Sequence, residues 1–119
     1  MARFGEMMRN GGRHGGIQVV PEAVGGDIQR GGDRERFASA EPFRATLPGW
    51  SYRSHWWVSH DEHGSYMARG VYGQCIYIDP VAEMVIARTG SHPVGSSVAN
   101  DPITLPAFAA LGRLLVGGA

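Results

Sequence analysis

Between Ser65 and Pro93 the chain reads SYMARGVYGQCIYIDPVAEMVIARTGSHP, three β-forming runs with turn residues closely spaced between them. The runs are Ser65–Val71, Gln74–Ile78 and Glu83–Arg88, and Asp79-Pro80 marks the turn between the second and third. Connections this short allow only antiparallel neighbours, because a parallel crossover needs a dozen or more residues. Met84, Val85, Ile86 and Ala87 are apolar without alternation, the pattern of a strand buried on both faces. Gly70 and Gly73, three apart in otherwise β-forming sequence, signal a bulge or a close approach of backbone to a ligand.

A further aromatic run, Ser51–Ser59, reads as one strand with Tyr52, Trp56, Trp57 and Val58. Trp56 and Trp57 face opposite sides of it, so only one can enter a given core. His60-Asp61-Glu62-His63-Gly64 then makes a polar hairpin loop. The expectation is a four-stranded antiparallel meander.

Helices flank it. Phe4, Met7 and Met8 recur at i, i+3, i+4 and predict a helix over Ala2–Arg9, stopped by Asn10-Gly11-Gly12. Ile17–Val20 is briefly extended, and Pro21 opens a second helix, Glu22–Gln29. Gly31–Pro48 is a surface loop with one helical turn at Arg34–Ala38. Thr89–Asp101 is a loop of small residues. Thr104–Leu115 is a helix whose face is Leu105, Phe108, Leu111, Leu114 and Leu115, capped by Asp101 or Thr104. That face must be buried, and the sheet is the surface available. The fold class is therefore α+β: an antiparallel sheet meander packed by a C-terminal helix. Residues 1–50 form helices and loops, 51–89 antiparallel strands, and 90–119 a loop and the last helix, all within one domain or less.

Charge excludes several functions. Eleven basic residues balance eleven acidic ones, and the basic residues are all Arg, spread along the chain. This is no footprint for nucleic acid or an acidic membrane. No apolar run is long enough to span a bilayer. Met1–Gly16 contains no apolar signal-peptide core, which favours a cytoplasmic location. Cys75 is single and sits in an apolar run, so it reads as a buried hydrophobe.

The polar clusters read as structural. His60-x-x-His63 has zinc-like spacing, but it lies in a hairpin loop without a third ligand cluster, so a solvated turn is expected. Gly11–Gly16 and Gly31-Gly32 lack the Lys-Ser/Thr of a phosphate loop and read as flexible connections. Ser91, Ser96 and Ser97 stand in no G-x-S-x-G elbow and suit local turn hydrogen bonds, with His92 a structural or pocket-edge residue. The strongest candidate for chemistry is Met67–Gln74, where an exposed backbone N–H could face a developing oxyanion.

These segments carry a resemblance. Trp56-Trp57-Val58, Ala68-Arg69-Gly70-Val71-Tyr72-Gly73-Gln74, Ile76–Pro80, Glu83–Arg88, Ser91-His92-Pro93 and Asn100-Asp101-Pro102 occur in order, after Ala2-Arg3-Phe4-Gly5 and Asn10-Gly11-Gly12. In this the chain resembles the C-terminal part of the β-lactamase-related serine hydrolases. These include class C β-lactamases, related esterases and other penicillin-binding-protein-like enzymes, and the 6-aminohexanoate-dimer hydrolases look most similar. The resemblance implies a β-lactamase/transpeptidase-like fold and no metal or cofactor. It implies hydrolysis of a small-molecule amide or ester through an acyl-enzyme in an intact parent. It places Ala68-Arg69-Gly70 on the family's Lys-Thr-Gly strand, which departs from that pattern. Val71 would then give a backbone N–H to the oxyanion hole, with Arg69, Gly70 and Tyr72 as substrate-binding positions and Tyr72 at the rim.

The same family takes its nucleophile from Ser-x-x-Lys. This chain has no Lys, so that motif is absent, and no Tyr-x-Asn occurs either. Met1 falls where the family has an ordinary helix residue, so the expectation is a C-terminal fragment of such a hydrolase, inactive alone. A strand edge at Glu83–Arg88, left open without the family's amino-terminal strands, allows self-association. The alternative is a non-catalytic α+β binding or interaction module derived from the fold.

Overall fold

The computed structural model describes residues 1–40 and 45–117. Residues 41–44 of the expected surface loop, and residues 118–119, lie outside them. The chain is α+β. Helix α1 spans Ala2–Arg9, α2 Glu22–Arg30, α3 Arg34–Ala38 and α4 Asp101–Gly117. A five-stranded antiparallel sheet runs in sequence order: β3 Ser51–Arg53, β4 Trp56–Val58, β5 Tyr66–Arg69, β6 Cys75–Asp79 and β7 Met84–Arg88. A separate hairpin pairs β1 Arg13–His14 with β2 Ile17–Gln18. Among the described residues no helix is long and apolar enough to cross a membrane.

Two differences from expectation are turns. Ser51–Ser59 is two strands, not one. Arg53 pairs with Trp56 across the two-residue loop Ser54-His55, and both loop residues have positive φ (50° and 71°). Such loops usually announce themselves by Asn-Gly or Asp-Gly, and here neither residue is one that marks them. The meander therefore has five strands. Likewise Gly15 and Gly16 are the tight turn between β1 and β2, both at positive φ, rather than a flexible connection.

Strand alternation divides the core between the two faces of the sheet. Trp56, Val58, Tyr66 and Ile78 pack against Met7 and Met8 of α1 and Ile28 of α2. Met67, Cys75, Tyr77 and Met84 pack against Phe108 of α4 on the other face. The register keeps partners on one face, Tyr66 opposite Ile78 and Met67 opposite Tyr77. Each such fully buried apolar side chain contributes about 1.5–3 kcal/mol. α3 is one short helix, its first turn held by the Asp33 carboxylate accepting from Glu35 N–H (2.9 Å) and Arg36 N–H (3.0 Å).

α4 corrects the expected apolar face. Its buried positions are Asp101, Phe108 and Gly112, with Leu105 partly buried, whereas Leu111, Leu114 and Leu115 are about half exposed. Positions 101, 105, 108 and 112 form one stripe at i, i+4, i+7, i+11. A search for apolar periodicity passes over it because two of its members are Asp and Gly. At Gly112 the helix lies on the buried Asp79, where an added Cβ would stand 2.2 Å from the carboxylate. Asp79 accepts from Ala82 N–H (2.9 Å) and meets His63 Nδ1 at 2.7 Å.

That last contact makes a pH prediction. The Asp79 carboxylate holds the His63 imidazolium above its ordinary pKa, against an opposing effect of burial. Its stabilisation is fully present below the unfolded imidazole value of about 6.5 and is lost as pH rises through the higher folded value. Thermal melts should show wild type most ahead of His63→Gln between about pH 5 and 6.5, with the gap closing at higher pH. A gap that stays constant with pH contradicts this.

Candidate functional site

The turn from β5 to β6 is the centre of the site. Arg69 pairs with Cys75, and Gly70 N–H donates to Gln74 carbonyl oxygen at 2.8 Å. The strand expected to reach Val71 stops at Arg69, and Val71–Gly73 form one turn of 3-10 helix rather than a bulge. Inside it Tyr72 is left-handed (φ 58°, ψ 26°), a conformation that costs a non-glycine residue about 1–3 kcal/mol.

Neighbouring segments hold this conformation. Tyr72 N–H donates to Gly95 carbonyl oxygen (3.0 Å), and Tyr72 carbonyl oxygen accepts from His92 N–H (3.0 Å). Arg88 Nε donates to Gly73 carbonyl oxygen at 2.8 Å. The His92 ring lies so close over Gly73 that a Cβ there would be 2.6 Å from it, and Gly73 also has φ 91°. The backbone here is approached by the chain's own His92 rather than by the ligand that the glycine spacing suggests, and only glycine satisfies both conditions. Asn100 Nδ2 and His92 Nδ1 are hydrogen-bonded at 3.1 Å, which fixes the ring. Among the described residues the Val71 N–H makes no hydrogen bond.

Beside the turn lies a cleft of about 380 Å³ lined by Trp57, Arg69, Gly70, Val71, Gly95, Ser96 and Ser97. β4 and β5 pair at Trp57↔Met67 and Val58↔Tyr66, and neither Arg69 nor Gly70 has a partner in β4. Of the two tryptophans, Trp56 is buried beneath α1 and Trp57 lines the cleft, as their alternation requires. Val71 is exposed, and the exposed Tyr72 has its ring beside Gly95 at the cleft's rim. Arg69, Gly70 and Val71 thus line the cleft, and Tyr72 follows them without lining it.

Arg69 is not a free cation. Its Nη2 donates to both carboxylate oxygens of Asp101 at 2.9 Å, with the two side chains only 6% and 3% exposed. Asp101 Oδ2 also accepts from Thr46 Oγ1 at 2.9 Å. The guanidinium carbon stands 5.9 Å from the Trp57 ring centroid, within cation–π range. Asp101, expected as a helix cap, is instead the counterion of the cleft's arginine. Local sequence pattern carries no signal for this pairing across 32 positions.

The other clusters have structural partners. His60 Nε2 lies 2.7 Å from Ser51 Oγ, and burial lowers its pKa, with Arg34 adding to the effect. His63 pairs with Asp79, so the loop is tied down on both sides rather than simply solvated. No group of three or more His, Cys, Asp or Glu side chains able to hold a metal ion occurs among the described residues. Cys75 is buried, and burial raises its thiol pKa, which disfavours the reactive thiolate. Ser96 Oγ accepts from Val98 N–H at 3.3 Å, a local turn bond.

No family model matches the chain. Among curated proteins, the 6-aminohexanoate-dimer hydrolase of Paenarthrobacter ureafaciens is 34% identical over 93 residues, covering 78% of this chain and 24% of that protein. A solved Bacillus anthracis structure, provisionally described as a 6-aminohexanoate-dimer hydrolase, superposes with a TM-score of 0.75 at 31% identity. It covers 96% of this chain and 28% of that one. The chain spans about a quarter of the length of the relatives it matches. It is homologous to that part of the 6-aminohexanoate-dimer hydrolases and shares their β-lactamase-like fold there.

The buried ion pair can be tested directly. Asp101→Asn removes the buried carboxylate that Arg69 Nη2 meets and should destabilise the chain by about 3–5 kcal/mol in urea unfolding. The double variant Arg69→Met/Asp101→Leu should recover most of that loss. Equal stability of wild type and Asp101→Asn contradicts the assignment.

Proposed function

We propose that this chain supplies the sheet wall of the active-site cleft in a serine hydrolase that cleaves an amide or ester through an acyl-enzyme. Val71 N–H is one of the two donors to the oxyanion. Arg69, Gly70 and Tyr72 are the substrate-contacting positions around it. The observation that carries this reading is the hydrogen-bond accounting of the turn: Gly70 N–H, Tyr72 N–H and the carbonyls of Val71, Tyr72 and Gly73 are all engaged, while Val71 N–H is not. A donor left over in a turn held on several sides is preorganised. It can stabilise charge that develops on a carbonyl oxygen without reorganising as the charge appears.

The chemistry divides between two parts. A serine hydroxyl attacks the acyl carbonyl, its proton goes to a base, and the carbonyl oxygen becomes an oxyanion held by two N–H groups. Collapse expels the amine or alcohol, which takes that proton from the base, and water then releases the acid and restores the serine hydroxyl. Nothing in the 119 residues provides Ser-x-x-Lys, so the nucleophile and its lysine come from chain outside them. A main-chain donor is independent of side-chain type, so valine suits position 71 as well as serine or threonine would.

A second reading, a non-catalytic binding module, has one observation in its favour: both faces of the sheet carry cores closed by the chain's own helices.

One experiment separates the two. The 119-residue chain alone should not turn over a p-nitrophenyl ester. The Paenarthrobacter relative carrying this chain in place of its matching segment should hydrolyse its amide substrate. In that chimera Val71→Pro, which removes the N–H, should lower kcat by about 10²–10³. A folded chimera without activity favours the binding module. Turnover by the chain alone, lost on blocking one of its serines, contradicts the hydrolase-wall reading.

A further inference from the structure

Arg88 ends β7 opposite Cys75, and among the described residues no carboxylate stands within ion-pair distance of it. Its guanidinium is spent on neutral groups. Nε donates to Gly73 carbonyl oxygen at 2.8 Å and Nη1 to Thr104 Oγ1 at 3.3 Å, and its carbon stands 5.5 Å from the Phe108 ring centroid. A neutral donor would also satisfy the Gly73 carbonyl, but a charged one makes a bond roughly twice as strong. That carbonyl heads a relay. Gly73 C=O and Gln74 N–H belong to one peptide group, and Gln74 N–H donates to Val71 carbonyl oxygen at 3.2 Å. Val71 C=O and Tyr72 N–H belong to another, and Tyr72 N–H donates to Gly95 carbonyl oxygen at 3.0 Å. Bonds arranged head to tail polarise one another, so a charge at the head strengthens those behind it.

We infer that Arg88 is a positioning residue for the oxyanion donor. It does not line the cleft, and it acts through the Gly73–Gln74 and Val71–Tyr72 peptides. The relay fixes the chain leaving Val71, while the Gly70 N–H bond to Gln74 carbonyl oxygen (2.8 Å) fixes the chain entering it. The direction of the Val71 N–H is set between the two. This rests on the reading of Val71 N–H as an oxyanion donor, and it adds the side chain that aims it. Through Thr104 and Phe108 the same guanidinium ties that aim to α4.

Arg88→Met removes both donors and tests this in two settings. In the ¹⁵N-labelled full chain, the Gln74 and Tyr72 amide protons should move upfield as their bonds weaken, while the Gly70 amide, outside the relay, keeps its shift. In the chimera with the Paenarthrobacter relative, the variant should lower kcat by about 10–10² and leave KM within about two-fold. If Arg88→Met does not fold, Arg88→Gln decides by the same readouts; it keeps one neutral donor and should give smaller changes in the same direction. Gln74 and Tyr72 amides that stay in place overturn the relay. An active chimera whose kcat is unmoved, or in which the loss falls on KM alone, overturns the positioning role and leaves the oxyanion reading standing. A folded chimera with Arg88 intact and no activity overturns that reading and the role with it.

Discussion

The ion pair between Arg69 and Asp101 joins the two parts of the molecule that the cleft needs. Arg69 ends β5, one residue before the turn, and Asp101 begins α4. Both are buried, so neither has water to fall back on, and the pair holds only while strand end and helix start stay in register. Asp101 in the first helical turn also meets the positive end of the α4 dipole, so its charge has a second favourable partner. Thr46 brings the segment before β3 to the same carboxylate.

From that anchor the 3-10 turn follows. Arg69 places Gly70 and Val71, and the loop between β7 and α4 returns over the turn to take up its polar groups. Each clamp comes from a different part of that stretch: Arg88 at the end of β7, His92 and Gly95 in the loop. Asn100, immediately before α4, fixes the His92 ring. The left-handed Tyr72 is therefore held by neighbours whose positions depend on α4. A strained residue persists where its surroundings over-determine it, and such residues concentrate at working sites.

Much of this fold is legible in the sequence wherever one residue type reports one local preference. Helix α1 follows from Phe4, Met7 and Met8 and a glycine stop. The short α3 falls where one turn is expected, and β5 to β7 follow from β-branched and aromatic runs with Asp79-Pro80 between the last two. The failures share a cause: a local rule overridden by tertiary contacts. Ser54-His55 turns a hairpin without glycine, its strands held by cross-strand packing such as Tyr52 against Trp57 (ring centroids 4.8 Å apart). The buried stripe of α4 includes Asp101 and Gly112, which hydrophobic periodicity cannot register. Of the four positions that the resemblance implies, Arg69, Gly70 and Val71 line one cleft and Tyr72 does not. That Arg69 carries a buried counterion 32 positions away in sequence has no signal in local pattern.

A cleft wall of this kind is specified by backbone more than by side chains. At its centre Val71 carries an amide N–H left unbonded within a turn whose other polar groups are taken. Residue-resolved amide hydrogen exchange on the full chain tests this most directly. The account predicts that Val71 exchanges close to its unprotected rate while Gly70, Tyr72 and Gln74, each bonded, are protected well above theirs. Protection of Val71 equal to that of its neighbours would contradict it.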